Sequence, residues 1–175
     1  LAAVLCVPGE DRDMLEDILD TLSAEGKIFL SKKKRYAPCE KNMLYPCVLH
    51  CSARRHFGFA EAENLEKDIY ISPDGMADAL DSDRVLVRIT KRSKTRDEGV
   101  VESVLQRGNT TISGVMLDEF NVRPDNPRIY KNIKLTETQN ANPGDRVLVE
   151  ITDYAKNGNI YGTVISVLGS SRELK

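Results

Sequence analysis

Phe57 and Phe59 flank Gly58, and in an extended segment the two-residue period turns both rings to one face. Tyr70, in the next strand-like segment, is placed to lie beside them. Rings presented together on a surface stack on nucleobases, at ~1–3 kcal/mol per base. Cations that could track phosphates crowd the same stretch. Arg54, Arg55 and His56 approach the aromatic strand, while Arg88, Lys91, Arg92, Lys94 and Arg96 gather in and around the following connector. An isolated Phe pair is ordinarily core, but the intervening Gly, the partner Tyr and the Arg cluster favour a single-strand surface.

The elements that must hold these residues are announced by a repeat. Asp83-Arg84-Val85-Leu86-Val87-Arg88-Ile89-Thr90 returns as Asp145-Arg146-Val147-Leu148-Val149-Glu150-Ile151-Thr152, and Gly99–Leu105 returns as Gly162–Leu168. A phrase repeated about sixty residues apart marks two related small domains. Five strand-like segments fall in the first copy: Val48–Cys51, Phe57–Ala60, Ile69–Ile71, Arg84–Ile89 and Val100–Leu105. The second copy runs through Thr111–Met116, Phe120–Arg123, Arg128–Ile133, Arg146–Thr152 and Tyr161–Leu168, with turns at Asn142–Asp145 and Lys156–Asn159. Five short strands per copy fit a closed OB-type barrel. Ahead of them, a short apolar segment from Leu1 to Val7 reads as a helix. A second helix follows with a capping-box spacing at Asp13 and Glu16, apolar positions at Met14, Leu15, Ile18, Leu19 and Leu22, and a stop at Gly26. Lys27–Ala37 then reads as a hairpin, giving a partial winged helix. The fold class is therefore mainly β, divided as residues 1–38, 39–107 and 108–175.

Charge and composition narrow the function. A formal net charge of −2 argues against a general polyanion binder, so any nucleic-acid site must be local. The tip residues Lys32, Lys33, Lys34 and Arg35 divide between phosphate contact and a solvated turn. The second copy offers Arg128, Tyr130 and Lys131 as secondary contacts, with Tyr154 and Tyr161 as further rings, but it lacks a Phe-Gly-Phe and has Glu150 and Asp153 in place of Arg88 and Lys91. Cys6, Cys39, Cys47 and Cys51 are expected to be reduced thiols. Cys47 and Cys51 share a strand face with Leu49, and their spacing does not suit zinc. No phosphate loop, nucleophile elbow or H-x-x-x-H pair occurs, so no catalytic residue and no metal are expected in this chain. No apolar run is long enough to span a bilayer.

Phe57-Gly58-Phe59 followed by Asp68-Ile69-Tyr70-Ile71 resembles the paired RNA-binding motifs of cold-shock domains. Ala79–Arg88 resembles the continuation seen in bacterial ribonuclease R-like exoribonucleases, and the order of winged helix and two cold-shock domains covers nearly the whole chain. The resemblance implies a single-stranded RNA partner and a cytoplasmic location. It also implies a separate, magnesium-dependent catalytic domain removing nucleotides from the 3′ end. Leu1 in place of Met suggests a piece of a longer protein, expected to be monomeric. Two departures concern geometry: His56 and Ser82 stand where the family has glycine. The alternatives are a winged-helix regulator binding duplex DNA, and a protein-interaction collar of a larger enzyme.

Overall fold

The computed structural model describes residues 5–155 and 158–169. Helix α1 spans Arg12–Ala24, and the strands β1 (Ile28–Leu30) and β2 (Tyr36–Pro38) form the expected antiparallel hairpin. Two details differ from the sequence reading. Residues 1–4 of the first apolar segment lie outside the described residues, and its continuation is a turn in which Cys6 has φ +53°. The capping box is not made: the helix begins after Asp11, two residues too early for the Asp13 and Glu16 pair to close its end. At its C-terminus, Gly26 takes φ +72° and the Arg84 guanidinium donates to the carbonyls of Ala24 and Glu25. That cation binds the orphan acceptors and faces the negative end of the helix dipole. It also ties this segment to the first barrel, where Phe29, Cys39, Leu44, Leu86 and Leu105 make a small separate core.

The first barrel comprises β3 (Leu44–Cys51), β4 (Gly58–Glu61), β5 (Ile69–Ile71), β6 (Arg84–Lys91) and β7 (Asp97–Gln106). It closes in the order β3-β4-β5-β7-β6, with β5 and β7 parallel and β6 returning to β3. Alternation builds the interior: Cys47, Leu49 and Cys51 of β3 point inward against Ile69, Ile71, Val85 and Val87, while Leu44 belongs to the small separate core. Burial of Cys47 and Cys51 pushes both thiols up to about 12, as expected of strand thiols in a dry core.

The second barrel comprises β8 (Thr111–Met116), β9 (Asn121–Pro124), β10 (Ile133–Glu137), β11 (Arg146–Tyr154) and β12 (Ile160–Gly169). It repeats the topology, down to the bulges. The β6–β7 register shifts after Arg84, Leu86 and Ile89, and the β11–β12 register after Arg146, Leu148 and Ile151. One strand was misplaced by the sequence reading. Residues 128–132 are a loop, and β10 starts only at Ile133. The Asn126 side chain and carbonyl accept from the Arg128 and Ile129 amides, forming a turn that buries Ile129 and delays the strand.

The turn Leu80–Asp83 lies at the junction of the two barrels. Asp83 is fully buried, and its carboxylate accepts from the Leu80 amide, the Gly108 amide and the Arg107 guanidinium. Arg107 also pairs with Asp78 and lies 3.6 Å from the centre of the Tyr154 ring, across the junction. Leu80 itself packs in the second barrel's core. Asp83→Ala strands two amides and a partly buried guanidinium, and should cost about 3 kcal/mol in urea unfolding. Ser82 has φ +70°, so Ser82→Gly should raise stability by about 0.5–1 kcal/mol in the same measurement.

Candidate nucleic-acid interface

The three rings come together as the strand pairing requires. Phe59 faces Tyr70 across β4 and β5, and Phe57 sits two residues earlier on the same face. Ring centres lie 5.6 Å apart for Phe57–Phe59, 5.5 Å for Phe57–Tyr70 and 5.8 Å for Phe59–Tyr70. Phe59 is exposed and the other two are half-buried, so the triad is a surface cluster braced by edge contacts. Between the two Phe residues, Gly58 turns inward. A Cβ there would come within 3.0 Å of Leu49 and 3.3 Å of Met76.

The cations separate into two groups. Arg54 and Arg55 are exposed on the turn leading into Phe57 and make no ion pair among the described residues. Arg96 places its guanidinium 4.1 Å from the Tyr70 ring centre and 3.6 Å from Glu98, the residue paired with Tyr70 in the sheet. Lys91 lies 3.9 Å from the same Glu98, and Arg92 donates to the Tyr45 hydroxyl. Lys94 is exposed, and its carbonyl accepts from Lys67. Arg88 does not join them. It makes a two-pronged ion pair with Glu102, at 3.1 and 2.8 Å, beside Phe29, Leu30 and Lys32 of the hairpin. The repeat singled out Arg88 by its contrast with Glu150, but which side of the barrel it occupies depends on strand register, which a one-dimensional contrast does not supply. Arg96 is the cation on the rings. Its signal was parity: two residues before Glu98 on β7, it shares a face with Tyr70's partner.

His56 has φ +53°, the left-handed backbone that the family's glycine would adopt freely. The constraint aims its ring across the junction, where it meets Tyr130 with centres 4.2 Å apart. Burial pushes the Tyr130 phenol up, and Lys131 lies 5.7 Å from the same ring. Arg128 approaches the buried Asp81 at 4.0 Å. Arg128, Tyr130 and Lys131 are thus junction residues on a loop rather than a second strand surface. Lys32, Lys33, Lys34 and Arg35 are all exposed at the hairpin tip, with Lys32 beside Arg88 and Glu102.

The second barrel carries no platform. Asn121 pairs with Lys134 as Phe59 pairs with Tyr70, and Lys134 pairs with Tyr161 as Tyr70 pairs with Glu98. Asn121 and Lys134 therefore occupy the positions of Phe59 and Tyr70, and Glu119 that of Phe57.

Both barrels match known families. Residues 47–104 match the Ribonuclease B OB domain and residues 121–175 the Cold shock domain. Ribonuclease R of Chlamydia trachomatis serovar D is 30% identical over 139 residues, covering 71% of this chain and 20% of that protein. Ribonuclease R of Thermotoga maritima is 26% identical over 166 residues, covering 91% of this chain and 23% of that protein. This chain thus spans about a fifth of the length of the curated relatives it matches. Among solved structures, Mycoplasma genitalium RNase R superimposes with a TM-score of 0.63 at 20% identity, over 71% of this chain and 21% of that one. Yeast Ssd1, a pseudonuclease, gives 0.59 at 16% identity, over 75% and 23%.

The thiols give a direct check on the first barrel beneath the rings. Cys6 is exposed, whereas Cys39, Cys47 and Cys51 are buried, and burial keeps the last two protonated at neutral pH. A thiol reagent at pH 8 should label Cys6 within minutes and the other three only on unfolding.

Proposed function

We propose that this chain, ribonuclease R-like across both barrels, captures single-stranded RNA on the face of its first barrel and holds the second barrel in line to receive the strand. The observation that carries this reading is the surface triad of Phe57, Phe59 and Tyr70, with Arg96 against Tyr70 and the exposed Arg54 and Arg55, which make no ion pair among the described residues, on the turn leading into Phe57. Stacking on the rings is tolerant of base identity, and the flanking cations meet the phosphates. Lys91 and Arg92 extend the cationic side, while His56, Tyr130 and Lys131 take the strand at the junction. Arg88 is not part of the site. The ribonuclease R of Mycoplasma genitalium has been captured with ribose methylated single-stranded RNA, which supports RNA as the ligand class.

In a longer protein organised like these relatives, the barrels would deliver the strand to a magnesium-dependent catalytic domain that cuts from the 3′ end. No hydrolytic step is assigned to residues of this chain. The likeness to a pseudonuclease fits a binding role that stands apart from hydrolysis. The duplex-DNA alternative fares poorly, because α1 presents Asp13, Glu16, Asp17 and Asp20, which repel phosphate.

Fluorescence anisotropy with labelled oligouridine tests the reading. Phe57→Ala with Phe59→Ala should weaken binding by ~2 kcal/mol or more, and Arg88→Ala should leave it unchanged. Unaltered affinity in the double Phe variant removes the platform from the account.

A further inference from the structure

The loops between β4 and β5 and between β6 and β7 border an open groove of about 590 Å³ at the rim of the first barrel. Asn64, Leu65, Glu66 and Lys67 line one side, and Arg92, Ser93, Lys94 and Asp97 the other. Arg96 belongs to the second loop, between the lining residues Lys94 and Asp97, and rests on Tyr70.

The loop is held in shape from within. Asp97 accepts from the Ser93 amide, and the Ser93 hydroxyl donates to the Arg96 carbonyl and accepts from the Arg96 amide. Lys67 bridges the two walls by donating to the Lys94 carbonyl, and Tyr45 anchors Arg92. Three cations, Lys67, Arg92 and Lys94, thus border the cleft against two acids, Asp97 and the exposed Glu66, of which Asp97 is already engaged in turning the loop. The Lys94 ammonium makes no ion pair among the described residues. Leu65, half-buried, provides an apolar wall.

We propose that this cleft is a phosphodiester subsite, which takes the backbone of the bound strand as it leaves the rings. The proposal rests on the reading of the triad as an RNA-stacking surface and extends it by one position. Arg96 links the two, its guanidinium on Tyr70 and its backbone in the loop that borders the cleft. Lys67 and Lys94 supply the charge for a singly charged phosphate, and the Leu65 side chain lies against the sugar. A strand confined to the rings does not enter the cleft, and a longer one does.

Strand length therefore separates this subsite from the platform. Binding of oligouridines of about three and about eight nucleotides is measured for the intact chain, for Lys67→Ala with Lys94→Ala, and for Phe57→Ala with Phe59→Ala. The lysine variant should bind the long strand roughly three- to tenfold more weakly and the short strand unchanged, with the salt slope for the long strand reduced by ~0.7 per lost phosphate contact. The phenylalanine variant should lose affinity for both lengths. Equal loss for both strands in the lysine variant means general electrostatic attraction and overturns the subsite. An unchanged long-strand affinity overturns it as well, while the loss in the phenylalanine variant leaves the platform standing. Exchanging the lysines for Arg, which retains the charge, should restore long-strand binding.

Discussion

One buried carboxylate sets the relation between the two barrels. Asp83 closes the turn before β6 by accepting from Leu80, and the same carboxylate holds Gly108 and Arg107 of the connector leading into β8. A carboxylate removed from water must be satisfied on several sides, and this geometry satisfies it only when the connector folds back over the turn. The approach is close: a Cβ on Gly108 would fall 2.1 Å from the Ser82 carbonyl oxygen, so glycine is required by space alone. From that contact follow the position of Arg107 over Tyr154, the entry of Leu80 into the second core, and the meeting of His56 with Tyr130.

The duplicated turn shows which part of the repeat is scaffold. Asp145 accepts from the Asn142 amide as Asp83 does from Leu80, and its carbonyl accepts from Met116 as that of Asp83 does from Leu49. The identical bulges extend the likeness through the paired strands. At outward positions, where a closed barrel tolerates it, the copies diverge in chemistry: Phe59 and Tyr70 against Asn121 and Lys134, Arg88 and Glu102 against Glu150 and Ile165. Inward positions must fill a fixed volume and stay apolar, whereas outward ones answer only to solvent or ligand.

The sequence made the barrels legible because alternation and the repeat agree, and nine of the ten expected barrel strands overlap their observed positions in full or nearly so. The exception, β10, failed for a local reason. Arg128–Ile133 has the composition of a strand, but Asn126 captures two amides that a strand would need. The ring triad was readable from parity on β4 and one antiparallel partner. The cations were harder, since their positions depend on register accumulated around a closed sheet, and Arg88 and Arg96 emerge on different sides. The contact of His56 with Tyr130 had no linear signal, because it joins two domains through a loop whose shape the sequence did not disclose.

The glycine of Phe-Gly-Phe also reads differently in three dimensions. It lies beneath the rings, not among them. Gly58 faces Leu49 and Met76 with no room for a side chain at ordinary contact, so the core underneath, rather than the ligand above, demands glycine there. By sheet pairing the matching residue in the second barrel is Phe120, whose carbonyl accepts from Leu135 where Gly58 pairs with Ile71. Phe120 is 66% exposed and lies outside β9, which begins only at Asn121. A side chain at this position has left the barrel wall, and the strand has lost its first residue. Two rings can stand side by side at the start of β4 because the residue between them takes up no space below. Tight core packing and an exposed aromatic surface are thus one constraint in the first barrel, and the second barrel lacks both.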